Sequence, residues 1–180
     1  MKYTIKSKQF YIGKLRLKNI NNKYINALNR SDQISFKKIN ILNQKKYIRN
    51  LRAKKIKLTR YNIRNNEILE IFYINKIIAT SGFQINIKKK TAFQGILIID
   101  DKFKGGGFSK FFISACIIEI LKFYKLNFVI AGVSNNNIIS KKTFLGAGFK
   151  YFKRIKSNNT SYFKIDLKKD IKKLTKILKI

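Results

Sequence analysis

The chain has 180 residues, of which 45% are hydrophobic, and it carries 41 Lys and Arg against 8 Asp and Glu, a formal charge of +33 at pH 7. That length suits one domain with a short appendage, and the apolar content suffices for a core. His is absent, which excludes His-based triads, imidazole bases and His-ligated zinc; the single cysteine, Cys116, excludes an internal disulfide and fits a reducing compartment.

Nucleic acid, an anionic membrane surface and a phosphate-bearing small molecule are the partners that such a charge can serve. The basic residues are spread along the whole chain. That spread favours a solvated surface over a dedicated patch, so no specific nucleic acid is expected, while a basic field still draws in anionic ligands such as nucleotides. The start, "MKYTIKSKQFY", lacks the apolar core of a secretion signal. The longest apolar run, Phe111 to Leu121, is about half of what a bilayer needs. A cytoplasmic protein without a transmembrane segment is expected.

In chain order, "KLRLK" (Lys14 to Lys18) alternates as a half-exposed strand does. Ile20, Tyr24, Ile25 and Leu28 recur at helical spacing, which predicts a first helix. A second, strongly basic helix runs through Tyr47, Ile48 and Leu51, with Asn43 as its cap and an end near Ile56. Two β-rich runs, Glu67 to Tyr73 and Ile77 to Ile85, flank Asn75-Lys76 as a hairpin. "FQGILIID" (Phe93 to Asp100) reads as a central strand covered on both faces. After "KGGGFSK" (Lys104 to Lys110), a helix from Phe108 to Tyr124 is apolar nearly all round and belongs against a sheet.

"NFVIAGVS" (Asn127 to Ser134) is a second buried strand, and a short helix from Asn137 to Leu145 stops at "GAG". Two further strands, in "FKYFKRI" and "TSYFKIDLK", pair near the end. The tail from Lys168 to Ile180 is a basic amphipathic helix with Ile171, Leu174, Ile177 and Leu178 on one face. It is read as a packing or oligomer contact, with room for a homodimer, in preference to a membrane anchor. The whole is an α+β plan around a mixed sheet, one domain over residues 1–167 followed by the tail helix.

Gly105, Gly106 and Gly107 stand just before the long helix. A helix N-terminus offers unsatisfied N–H groups and partial positive charge, and glycines let the chain close around an anion. The stretch therefore fits a pyrophosphate cradle, and from the glycines alone it fits a tight packing turn equally well. It matches neither a P-loop nor a dinucleotide fingerprint. Cys116, in the middle of the apolar helix, reads as a buried packing residue.

The downstream segment resolves more. Lys104, Gly107 and Ser109, followed after one helix and one strand by Asn137, Ser140, Phe144 and Gly148-Phe149, resemble the acetyl-CoA loop and the following segment of the GNAT N-acetyltransferase superfamily. The resemblance spans residues 15–167, and "YINALNR" (Tyr24 to Arg30) is similar to subgroups that acetylate amino sugars or ribosomal-protein N-termini. It implies a mostly antiparallel mixed sheet with helices on both faces. It implies acetyl-CoA as co-substrate, no metal, and a small amine acceptor.

By this resemblance the pyrophosphate would sit on backbone amides of Gly105, Gly106, Gly107, Phe108, Ser109 and Lys110, with Lys104 adding charge. Leu97, Ile98 and Ile99 would pair with the pantetheine arm, and the N–H of Ile99 or its neighbour would stabilise the oxyanion. Asn137 would bond the pantetheine; it serves equally well as an N-cap. Ser140 and Phe144 would line the site. Phe144 stands where the superfamily often has a Tyr that protonates the leaving thiolate. Some members carry a base Glu before the glycines, where this chain reads "FQGILII". Glu67, Glu70, Asp100 and Asp101 are the acids near the expected cleft; of these Glu70 and Asp100 are considered as a base, each better explained as structural or surface. The expected reaction is N-acetylation of a primary amine, with a nucleotide-linked amino sugar of surface-polysaccharide synthesis favoured because it is anionic and the protein basic. A ribosomal-protein or peptide N-terminus, or acyl-CoA binding without catalysis, are the alternatives.

Overall fold

A computed structural model describes residues 2–5, 8–30, 38–52, 65–74 and 76–178. Eight strands form one sheet in the order β1-β2-β3-β4-β5-β6-β8-β7. They are β1 (Lys2–Ile5), β2 (Lys8–Lys14), β3 (Asn65–Tyr73), β4 (Lys76–Asn86), β5 (Thr91–Ile98), β6 (Phe128–Ser134), β7 (Lys150–Ile155) and β8 (Thr160–Asp166). Every neighbouring pair is antiparallel except β5 and β6, which run parallel. The expected mixed, mostly antiparallel sheet is therefore present.

Helices α1 (Asn22–Asn29) and α2 (Ile41–Arg52) lie on one face; α3 (Phe108–Leu121), α4 (Ile138–Gly146) and α5 (Leu167–Leu178) complete the fold. No described helix is long and apolar enough to cross a membrane. The all-round apolar character of α3 has its reason in burial: every residue from Phe111 to Ile117 is buried. Phe10 from β2 meets Phe103, Phe108 and Phe112 in this core, largely edge to face, a geometry that ring quadrupoles favour. Helix α5 adds Leu167, Leu174 and Leu178 to the same cluster. Its buried face is thus one step away from the expected one: Ile171 is 37% exposed, and Asp170 is turned inward with a 2.7 Å contact to Lys173.

One element has no counterpart in the sequence expectations, and two of those expectations need correction. The polar start is an antiparallel hairpin, β1 with β2, and Tyr3, Phe10 and Ile12 are buried. The strand expected at Lys14–Lys18 ends at Lys14, and Leu17–Asn19 is a 3₁₀ turn. The cause is tertiary: buried Glu70 accepts from the Arg16 N–H, Arg16 Nε and Asn19 Nδ2, and so draws the chain out of the sheet. Asn40 rather than Asn43 caps α2, with the Asn43 N–H donating to Asn40 Oδ1 at 2.8 Å. Asn75 and Ile56, the expected hairpin turn and helix end, lie outside the described residues.

One feature of the sheet positions everything that follows. β5 and β6 pair over three residues, Thr91–Phe93 with Phe128–Ile130. β5 then stays with β4 as far as Ile98, and β6 stays with β8 as far as Ser134. The two strands separate, and the backbone edge of β5 is left facing the opening.

Candidate active site

In the β4–β5 ladder, the N–H groups of alternate residues point to opposite sides. The Ile99 N–H donates to the Ile78 carbonyl at 2.8 Å. The expectation that Ile99 itself supplies the oxyanion donor is therefore corrected: its N–H is occupied, and its side chain is buried beneath α1 and α2. Ile98 lies opposite Ala79 in the intervening pair, so its N–H and C=O point away from β4 and into the opening. The Leu97 side chain is on the α1–α2 side and borders the cavities on both sides of the gap.

The glycine loop follows. Gly105, Gly106 and Gly107 have φ of +80°, +56° and +84°. Each non-glycine residue in such a conformation costs roughly 1–2 kcal/mol, which is why all three positions are glycine. Gly107 occupies the N-cap position of α3 without a side-chain cap. Ser109 and Lys110, second and third in the helix, have N–H groups that no carbonyl of the helix can reach. Phe108 departs from expectation. Its N–H donates to the Gly105 carbonyl at 3.2 Å, and its ring is buried among aromatics.

Opposite the loop, Asn137 caps α4, its Oδ1 accepting from the Ser140 N–H at 2.9 Å. It also borders the groove, as do Ser140 and Phe144, so capping and lining coexist in this residue. Phe144 is 4% exposed and packs edge to face on Phe149, ring centres 5.1 Å apart. Together β5, the glycine loop and α4 enclose a groove of about 750 Å³. Lys104 borders it and pairs with Asp101 at 2.8 Å, both side chains well exposed; hydrogen bonding to Lys104 holds the Asp101 carboxyl below its usual range.

Neither Glu70 nor Asp100 is poised as a base. Glu70 is 1% exposed, saturated by Arg16 and Asn19, and borders neither cavity. Asp100 caps the 3₁₀ turn Asp101–Phe103 and takes a 2.9 Å bond from Lys23 Nζ. That bond holds its carboxyl below the ordinary range, which weakens it as a proton acceptor. Cys116 is fully buried, and burial pushes its thiol up, out of nucleophilic use.

A second cavity of about 360 Å³ lies on the other side of the gap. Tyr24, Gln44, Tyr47, Thr80, Phe93 and Leu97 wall it. Gln44 Nε2 donates to the Tyr24 hydroxyl at 3.1 Å, a bond that does not use the tyrosine's own proton. Burial raises the pKa of both Tyr24 and Tyr47, so both stay protonated donors. The floor is bare: Gly82 lies opposite Gly95 in the ladder, and Gly132 borders the same cavity from β6. In the sequence Tyr24 stands out only through helix periodicity and the "YINALNR" resemblance, and Gln44 does not stand out. The strand glycines were the available signal, since glycine inside a strand marks a close approach or missing bulk.

No protein-family model matches the chain, and no curated protein matches it in sequence. Solved structures do. RimJ of Mycobacterium smegmatis, in complex with CoA-disulfide, superposes with a TM-score of 0.73 at 12% identity, over 93% of this chain and 87% of that one. The putative acetyltransferase yncA of Salmonella typhimurium, with its cofactor acetyl-CoA, gives 0.65 at 12% identity over 88% and 94%. The N-acetyltransferase PseH of Campylobacter jejuni gives 0.58 at 16% identity over 87% and 97%. At these identities the likeness establishes the fold, which is that of the N-acetyltransferases.

Proposed function

We propose that the chain is an acetyl-CoA-dependent N-acetyltransferase acting on a primary amine, with a nucleotide-linked amino sugar as the favoured acceptor. One observation carries this reading. The opening between β5 and β6 has a glycine-lined groove on one side and an aromatic pocket on the other, and the two meet at Leu97.

The groove fits the co-substrate. The N–H groups of Ser109 and Lys110, with those of the glycine loop, suit a pyrophosphate. A Cβ added at Gly107 would come within 3.3 Å of Lys110 Cε, and its φ disfavours any side chain. Acetyl-CoA brings an activated thioester, and the chain contributes position and polarity. The exposed edge of β5 pairs with an extended amide-bearing arm as a missing strand would. The Ile98 N–H suits a developing oxyanion. The acceptor amine enters from the aromatic pocket, oriented by the Tyr24 and Tyr47 hydroxyls. Glu67 borders the pocket, but its carboxylate is engaged by the Tyr124 hydroxyl at 2.8 Å and by Lys14 at 3.5 Å, so the amine arrives already deprotonated or loses its proton to water.

The test begins with thermal stability. CoA is expected to raise Tm in the wild type and to lose that effect in Gly107→Glu; no shift at millimolar CoA would sink the transferase reading. Free-thiol release with acetyl-CoA and a panel of amines, including UDP-amino sugars and N-terminal alanyl peptides, then separates enzyme from binder and one acceptor class from the other.

A further inference from the structure

Among the described residues, the face of the sheet that carries α1 and α2 is only partly covered. The buried cluster beneath these helices takes Ile77, Leu97 and Ile99 from the sheet, and none of its members comes from β6, β7 or β8. On those three strands the same face carries rings and ammonium groups. Phe128 and Ile130 of β6 stand opposite Asp166 and Lys164 of β8, and Gly132 stands opposite Tyr162. Lys164 Nζ sits 4.7 Å above the Phe128 ring and 4.6 Å above Phe152. Lys153 Nζ sits 5.6 Å from the Phe152 ring and 5.7 Å from that of Tyr162. Asp166 is the acid on this face among the described residues, and its Oδ1 accepts from the N–H groups of Lys168 and Lys169 at the start of α5.

This platform runs into the acceptor pocket. Phe93 walls the pocket and meets Tyr162 edge-on with ring centres 6.5 Å apart. Gly132 borders the pocket too, and a Cβ there would lie 3.2 Å from the Tyr162 ring.

We propose that the β6–β8–β7 platform holds the nucleoside diphosphate part of the acceptor, while its amine reaches the gap at Leu97; this rests on the transferase reading above. A nucleobase stacks on exposed aromatic rings with little regard to sequence. A lysine ammonium held over a ring face makes only a weak contact. A phosphate is the stronger partner for it, and the flexible lysine stem lets it swing from ring to phosphate as the base arrives. An apolar partner fits less well, because it would bury Lys153 and Lys164 without a counter-charge.

The experiment is calorimetric titration of the full chain with UDP in the presence of saturating CoA. Binding is expected, weakened about tenfold by Phe152→Ala, the size of one lost base–ring stack, and also weakened by Lys164→Gln. Both variants should keep the CoA-induced rise in Tm, which checks folding. If UDP fails to bind at millimolar concentration while CoA still stabilises, the platform assignment falls and the transferase reading stands. If CoA gives no stabilisation either, the parent reading falls and takes this one with it. UDP that binds only when CoA is absent was occupying the groove, which overturns the proposal. A short oligouridylate that binds far more tightly than UDP, with steep salt dependence and the same sensitivity to the variants, would make the face a single-stranded RNA surface and likewise overturn it.

Discussion

Phe144 borders the groove with an almost fully buried ring packed on Phe149. Phenylalanine has no proton to give to a departing thiolate. A thiol of pKa about 8.5 leaves tolerably without one, so its lack is a loss of rate rather than of reaction. Phe144→Tyr is therefore expected to raise kcat, by no more than the 10²- to 10⁴-fold or so that a positioned acid supplies. Placing a hydroxyl in that packed wall should cost about 1–3 kcal/mol of stability if it finds no partner. Steady-state kinetics with CoA affinity held in view decide it: an unchanged kcat in a variant that still binds CoA would show that this wall does not face the leaving sulfur. Glu70 gives the opposite case. Its carboxylate is buried and takes three hydrogen bonds from Arg16 and Asn19. Removing it leaves the half-exposed Arg16 side chain to water but strands the Arg16 N–H and the Asn19 amide, at about 1–3 kcal/mol for a buried donor left unsatisfied. Glu70→Ala should thus lower the denaturation midpoint sharply while the remaining folded protein keeps its kcat; a base would show the reverse.

Helix α5 shows what can be read locally and what cannot. Its periodicity is visible in the sequence, and Leu174 and Leu178 do face the core, but Ile171 faces outward and Asp170 takes the inward place. The choice is made by what α3 and the sheet offer, a contact far away in the chain. Leu174→Ala should cost about 2–5 kcal/mol as a core truncation, whereas Ile171→Ala should stay within about 0.5 kcal/mol as a surface change. Urea denaturation of the two variants compares them directly, and equal losses would return the helix to the orientation expected from sequence. The same distinction runs through the rest of the molecule. The long apolar helix, the glycine loop before it, the central strand and the Asn137 cap were legible, because each is written in adjacent residues. The N-terminal hairpin was missed because its alternation is short and basic, and its second strand is completed by β3, more than fifty residues on: Gly13 pairs with Glu70. The occupied Ile99 N–H was not legible either, since only the register with β4 decides which alternate amides face the gap. The extra glycines at 105 and 106 acquired their reason only from three successive left-handed residues.

At the scale of the whole molecule, the charge of +33 is the dominant long-range term. Six ion pairs join described residues, and in each the cationic side chain is substantially exposed. Apart from Arg16–Glu70, whose carboxylate is buried, pairs with so exposed a cation contribute little each, with a median of about 0–1 kcal/mol. Repulsion among the remaining cations acts over the entire surface and opposes the compact state. Salt weakens both, but the repulsion involves many more charges. The Debye length falls from about 30 Å at 0.01 M to about 3 Å at 1 M ionic strength, so most of the repulsive field disappears across that range. Tm is therefore expected to rise as NaCl is increased from 0.01 to about 0.5 M, by several degrees if the gain is about 1–2 kcal/mol. Acid should act in the other direction. The carboxyls of Asp100 and Asp170 are held below their ordinary pKa, each chiefly by hydrogen bonding to a lysine. Their contribution is complete above the unfolded value of about 3.9 and is lost as pH falls through the folded values. Protonating all eight acids would also leave the 41 basic residues uncompensated. Stability should hold on the neutral side of about pH 5 and drop below about pH 4, with added salt recovering part of the loss that comes from repulsion and none of the loss that comes from protonation. A Tm that fell with salt at neutral pH would mean instead that the ion pairs outweigh the field, and the basic surface would then need a different physical account.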